Sequence, residues 1–188
     1  MFDESSLEKL VERQREGRQC GKCSLCCKVL DVHELHKPSG KWCSHYKPGR
    51  GCTIYETRFE ICRGYECMWK QGMLSDEWFP ADSKIVLDMN KDGTVLYAHV
   101  DSGFPTAWQK EPYYGWFKMM ARKGLGIDNP TERRWSVCVL AVPGKTIIVL
   151  PDKEVTITRG RKFAINAEWA VNGLRYNAVE LASSENEQ

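Results

Sequence analysis

The sequence predicts an α+β protein, with a loop-rich, metal-stabilised cysteine module followed by a small antiparallel β-sheet domain with one or two helices. Three observations lead to this prediction. Eight of the nine cysteines fall between Cys20 and Cys67. Two pairs of β-rich runs follow, and each pair is joined by residues typical of a tight turn. Between the two pairs, Pro112 is suited to the first turn of a helix that ends near Gly124.

The composition is that of a soluble globular protein, with 42% apolar and 28% charged residues in a chain of 188. A net charge of +2 gives no strong field that would attract nucleic acid or a membrane. No apolar stretch approaches the ~20 residues that span a bilayer, and the acidic start lacks the basic and apolar regions of a signal peptide. We therefore expect a cytoplasmic protein, in which clustered cysteines are metal ligands rather than disulfides.

The N-terminal segment is expected to form a helix over residues 5–16. Ser5 and Glu8 fit a capping box, and Gly17 can end the helix. The cysteine module is then predicted to occupy residues 1–79 together with this helix.

The cysteine spacing indicates metal coordination. Cys20, Cys23 and Cys26 recur every three residues, so that a tight loop or the first turn of a helix can point their sulfurs at one centre. Cys27 points in a different direction from its neighbour and is available to a second metal or a second face of a cluster. Eight thiols are two sets of four, the number that a tetrahedral zinc site or a cubane iron–sulfur cluster takes. The predicted ligands are Cys20, Cys23, Cys26, Cys27, Cys43, Cys52, Cys62 and Cys67.

The same segment carries a recognisable motif. It reads C-x-x-C-x-x-C-C, then Cys43, then C-x-I-Y-x-x-R-x-x-x-C-R-x-Y-x-C from Cys52 to Cys67. It resembles the YkgJ-type cysteine-cluster family, described as a zinc- or iron-chelating domain, over about a quarter of the chain. The resemblance implies metal binding by these eight cysteines, gives Arg58 and Arg63 structural positions, and leaves the biological role open. Ser24 stands where the family usually has Gly and Phe59 where it usually has Pro; neither change removes a ligand.

Basic residues between the cysteines are expected to offset the negative charge of the thiolates, although a plain surface position is the alternative for each. These residues are Lys22, Lys28, Lys41, Arg50, Arg58 and Arg63. His45 is expected to be a surface residue or to support a ligand rather than to bind metal itself, because eight cysteines are already present.

A β-rich α+β domain is predicted over residues 80–182. Residues 84–89 and 94–99 form one hairpin, joined by Asn-Lys-Asp-Gly, and residues 135–142 and 146–150 form another, joined by Pro-Gly. Residues 155–158 add a short strand, and residues 163–181 fit either a helix or strands. Residues 183–188 are expected to be a disordered tail. Cys138 lies in an apolar run and is interpreted as packing.

Two classes of function are open. In the first, zinc at two four-cysteine sites has a structural role, or the protein is an adaptor whose β-rich half meets an unknown protein partner. In the second, a [4Fe-4S] or [2Fe-2S] cluster serves redox chemistry or a cluster-dependent enzyme. Zinc is favoured because it tolerates varied loop spacing, whereas Cys27 and the missing C-P ending differ from bacterial ferredoxin. No phosphate-binding, dinucleotide-binding, nucleophile-elbow or zinc-protease motif is present, so no catalytic residue is assigned.

Overall fold

The computed structural model of the chain describes residues 12, 17–21, 23–129, 135–171 and 173–182. The helix predicted over residues 5–16, apart from Glu12, and the tail predicted over 183–188 lie outside the described residues. Both helices and strands are present in the described part of the chain, which confirms the α+β class. None of the described helices is long and apolar enough to cross a bilayer.

The chain divides into two compact units. The N-terminal unit comprises Met1–Asp88 and His99–Ala107, and the C-terminal unit comprises Met89–Ala98 and Trp108–Gln188. The N-terminal unit extends past residue 79 because the backbone N–H of Met68 donates to the carbonyl of Leu87 at 2.9 Å. The predicted division into folding domains at residues 79 and 80 stays a prediction.

The N-terminal unit has short elements joined by long loops. Its described elements include three single-turn α-helices, α1 (Cys26–Val29), α2 (Glu60–Arg63) and α3 (Pro80–Ser83), and 3-10 turns at His33–Leu35 and Asp76–Trp78. A hairpin joins β1 (Tyr46–Lys47) to β2 (Gly51–Cys52). Strand β3 (Ile85–Met89) follows α3. Leu25, Val29 and Val86 form a buried apolar cluster in this unit.

A five-stranded sheet has the order β3-β4-β5-β6-β7. Its further strands are β4 (Val95–Val100), β5 (Ser136–Leu140), β6 (Lys145–Val149) and β7 (Glu154–Thr158). The pairs β5–β6 and β6–β7 are antiparallel, as predicted. Neighbours β4 and β5 start side by side, since the N–H of Ser136 donates to the carbonyl of Thr94 at 2.8 Å. They are connected through α4 (Tyr113–Gly124), which is the crossover that a pair of parallel strands requires. The sheet is therefore mixed, whereas the sequence predicts an antiparallel one.

The turn before β4 forms as the sequence predicts. The side-chain oxygen of Asn90 accepts hydrogen bonds from the N–H groups of Thr94 and Val95, each at 2.8 Å. Gly93 has φ +63°, a left-handed conformation that residues with a Cβ rarely adopt. The short Asn side chain and the glycine therefore fix the hairpin together.

Helix α4 is held by its aromatic face and its C-terminal end. Phe117 is fully buried and packs edge-to-face on Trp108. A Cβ on Gly124 would lie 2.2 Å from the carbonyl oxygen of Trp135, so the helix end and the start of β5 are in close backbone contact. On the exposed side, the carboxylate of Glu154 accepts hydrogen bonds from the Tyr114 hydroxyl and the Lys118 amine, which lower its pKa against the opposing effect of burial.

Cys138 lies in the core of the C-terminal unit. It is fully buried with Ile148, Leu150, Ile157 and Ala178, and burial raises the pKa of its thiol to about 12. Its surroundings are those of a packing residue, in agreement with the interpretation from sequence.

Residues 163–181, for which the sequence fits either a helix or strands, form a hairpin. Strands β8 (Phe163–Ala170) and β9 (Gly173–Glu180) pair antiparallel over their full lengths, with Ala170 opposite Gly173. The φ of Gly173 is +109°, which the tight connection requires. Ala178 on β9 packs into the cluster around Cys138, so the hairpin contributes to the core of its unit.

Candidate metal centre

All eight predicted ligands lie in the N-terminal unit as free, half-buried thiols. The first loop is a tight turn in which the N–H of Cys23 donates to the carbonyl of Cys20 at 2.7 Å. Gly21, with φ +50°, supplies the left-handed residue in this turn. The single turn α1 then begins at Cys26, the third of the cysteines spaced by three residues. That their sulfurs point at one centre stays a prediction.

Cys67 joins this loop from the far end of the cysteine segment. Cys23 and Cys67 both pack against the buried cluster of Leu25, Val29 and Val86. Burial, and then the charges of Cys20 and Cys67, raise the pKa of Cys23 to about 11. Burial also raises the pKa of Cys67, and the charge of Cys20 adds to this effect. Cys67 therefore lies close enough to the first loop for its charge to affect the thiol of Cys23.

Cys43 and Cys52 are linked to Cys27 through the backbone instead. The N–H of Cys43 donates to the carbonyl of Cys27 at 3.0 Å. The carbonyl of Cys43 in turn accepts from the N–H of Tyr46, which pairs with Cys52 across the β1–β2 hairpin. Cys62, on α2, completes the group, because burial and then the charges of Cys27, Cys43 and Cys52 raise its pKa.

Backbone contacts and the effects of the thiols on each other's pKa sort the eight thiols into two neighbourhoods of four. The first set is Cys20, Cys23, Cys26 and Cys67, and the second set is Cys27, Cys43, Cys52 and Cys62. The two neighbourhoods meet where a side-chain hydrogen bond joins the adjacent thiols of Cys26 and Cys27. This bond raises the pKa of Cys26 and lowers the pKa of Cys27 to about 7.

Lys37 is a basic residue of the site that the sequence interpretation missed. Its ammonium group is buried, donates to the carbonyl of Leu30, and lies near the charges of Cys27 and Cys43. Burial lowers its pKa, because the charged form of the amine loses its contact with water. Lys37 stands in a stretch that reads as turn chemistry, and no local sequence pattern distinguishes such a lysine from a surface one.

Arg58 lies where the sequence places it, beside the cysteines. Its guanidinium stacks over the ring of Tyr55 at 3.9 Å and lies near the charges of Cys20 and Cys52. Its Nε is buried and has no hydrogen-bond acceptor among the residues that the structure describes. A buried donor of this kind is costly unless it has a partner, and a thiolate sulfur is the acceptor type that its surroundings offer.

The other predicted cations have different positions. Lys28 donates to the carboxylate of Asp101, so its charge is already compensated within the unit. Lys41, Arg50 and Arg63 are exposed, and Lys22 lies outside the described residues. His45 is half-buried, with its ring tilted against Phe59 at 5.9 Å between ring centres.

The donor chemistry of the site fits zinc or iron, but its coordination shell is not formed. Among the residues described, no three His, Cys, Asp or Glu side chains converge closely enough to hold a metal ion. Each neighbourhood nevertheless offers four soft sulfur donors, the type and number of a structural zinc site. Binding a metal here requires the sulfurs of each set to close in on a common centre.

Comparison of the chain with family models, with curated proteins and with solved structures finds no match. The resemblance to the YkgJ-type family stays an expectation from the motif between Cys20 and Cys67.

Proposed function

We propose that the protein is a metal-binding protein in which eight cysteines chelate zinc at two four-cysteine sites. The observation that carries the proposal is the concentration of eight free, half-buried thiols in one unit. Four thiolates are a complete ligand set for tetrahedral structural zinc, with no open position for a substrate. The role that we propose is therefore structural, or that of an adaptor, rather than catalytic.

The zinc would act as a cross-link in a segment with little core of its own. Among the described residues between 20 and 67, Leu25 and Val29 are the buried apolar side chains. The helices and strands of this stretch are two to four residues long. Metal binding should therefore supply much of its folding free energy, on the order of 10 kcal/mol by comparison with small zinc-folded peptides.

Charge compensation supports the proposal. Each set of four thiolates around Zn²⁺ carries a net double negative charge, which is costly in a half-buried site unless cations lie nearby. Lys37 and Arg58 both lie close to cysteines of the second set. Arg58 also approaches Cys20 of the first set.

A cytoplasmic location is part of the proposal, because thiols stay reduced there and remain available to metal. The protein partner of an adaptor would meet the β-rich half of the chain, as expected from the sequence. Neither a nucleic acid nor a membrane is included, since the net charge of +2 provides no electrostatic drive toward either.

Metal analysis of anaerobically purified protein tests the proposal. We expect two zinc ions per chain and a colourless preparation, because eight thiolates supply two sets of four. A brown preparation with iron and acid-labile sulfide would support the alternative, an iron–sulfur protein. Less than one metal per chain, with all eight thiols reactive in the native protein, would contradict metal binding altogether.

Cys138→Val is the matched control. It replaces a buried thiol by an apolar side chain of similar size and should cost at most about 1–2 kcal/mol. Because Cys138 lies in the apolar core of the C-terminal unit, the metal content should stay at two. Loss of metal in this variant, with retention in Cys23→Ser, would show that the ligands are wrongly assigned.

A further inference from the structure

We propose that the two metal sites are interleaved along the chain, one formed by Cys20, Cys23, Cys26 and Cys67 and the other by Cys27, Cys43, Cys52 and Cys62. This inference rests on the proposed metal binding and specifies which thiols share each ion. The simpler division would follow chain order, with residues 20–27 holding one ion and residues 43–67 the other. The contacts of Cys67 and Cys27 distinguish the two divisions.

Cys67 belongs with the first loop because of its packing. It shares the apolar cluster of Leu25, Val29 and Val86 with Cys23, although 43 residues separate the two cysteines in the chain. The charges of Cys20 and Cys67 both act on Cys23.

Cys27 belongs with the later cysteines because of its backbone. Its carbonyl accepts the hydrogen bond from the N–H of Cys43 at 3.0 Å, and this bond anchors the start of the segment that leads to Cys52. Cys26 and Cys27 are consecutive on one helical turn, where successive side chains diverge by about 100°. One turn can therefore supply one ligand to each of two separate ions.

Double variants separate the two divisions in the full chain. Cys23→Ser/Cys67→Ser removes two thiols of one proposed site and should retain one zinc per chain. Cys43→Ser/Cys67→Ser removes the same number of thiols, one from each proposed site, and should retain none. Division in chain order predicts the reverse for both variants, so that result would overturn the inference.

The unmutated protein provides a second measurement that does not depend on the variants folding. Zinc is removed in steps with EDTA while N-ethylmaleimide alkylates the thiols that are released. Mass spectrometry of the intact chain selects the molecules that have kept one zinc. Fragmentation of those molecules then identifies the alkylated cysteines. We expect four labels, all on the first set or all on the second.

Two results would overturn the interleaved assignment. One is a molecule labelled together on Cys20, Cys23, Cys26 and Cys27, and the other is a single cluster whose ligands come from both sets. Either result would leave metal binding itself intact. A starting protein that contains no metal would instead contradict the proposed function, so the two failures are distinguishable.

Discussion

The ion pair between Lys28 and Asp101 is expected to stabilise the N-terminal unit although it lies outside the ligand set. The two side chains are only 17% and 9% exposed, and the Lys28 amine also lies 5.5 Å from the centre of the Trp42 ring. Asp101→Asn keeps the shape of the side chain and an acceptor for the N–H of Gly103, which bonds Asp101 at 2.8 Å. The variant therefore removes the charge and leaves Lys28 without its counter-ion.

We expect Asp101→Asn to lower the free energy of unfolding by about 2–3 kcal/mol. Hydrogen bonds to charged groups contribute about 1.5–3 kcal/mol, and breaking a fully buried pair costs about 3–5 kcal/mol. The partial exposure of Lys28 places this pair toward the lower of the two ranges. Replacing both partners, in Lys28→Met/Asp101→Asn, should recover part of the loss because no buried charge is then left unpaired.

Urea unfolding of the metal-loaded protein, followed by tryptophan fluorescence at a fixed zinc concentration, measures the effect. Asp128→Asn is the matched control, since Asp128 pairs with Arg122 at 2.7 Å and the two side chains are 50% and 52% exposed. Removing that charge should cost no more than about 0.5 kcal/mol. An Asp101→Asn loss as small as that of the control would refute the reasoning. So would its disappearance at about 1 M salt, which screens exposed pairs far more than buried ones.

Two further predictions concern the C-terminal unit. Gly124→Ala should lower the free energy of unfolding by about 2–3 kcal/mol or more, because the added Cβ meets a backbone carbonyl that cannot rotate away. Gly115→Ala is the control and should cost far less, because its Cβ meets only a movable carboxylate. Equal losses for the two variants in urea titrations would contradict the steric argument. Glu154→Gln should lower stability at pH 7 by at most about 1 kcal/mol. Because the folded state lowers the pKa of Glu154, its contribution is present above the unfolded pKa and is lost as the pH falls through the folded one. The difference between variant and parent in thermal unfolding should therefore shrink in acid, and a difference that grows would be inconsistent with this assignment.

Turn chemistry made much of the C-terminal unit predictable. Asn90 and Gly93 predict a hairpin, because a short polar side chain and a glycine that adopts the left-handed conformation favour a tight turn between two β-rich runs. The helix after Pro112 followed from an aromatic stripe of helical period. The segment from residue 163 to 181 could not be assigned, because Ala, Trp and Val suit either a strand or a helix when no partner is known. Its strands form by pairing with each other along their full length.

The cysteines were predictable as a group, but their arrangement was not. Spacing along the chain predicts that Cys20, Cys23 and Cys26 lie near one another, and the backbone turn from Cys20 to Cys23 is local. The position of Cys67 depends instead on the apolar contact of Leu25 and Val29 with Val86, which lies on a strand beyond the predicted module. Lys37 was missed for the same reason, since its burial results from the carbonyl groups that fold over its amine. Contacts between distant parts of the chain leave no periodic pattern in sequence.

The single helical turn Cys26–Val29 connects the separate parts of the N-terminal unit. Its four side chains diverge by about 100° per residue and so face four directions. Cys26 faces the first set of thiols and Cys27 the second, while Lys28 pairs with Asp101 and Val29 enters the apolar cluster with Val86. A helix this short is not stable by itself. Its geometry therefore depends on all four contacts at once.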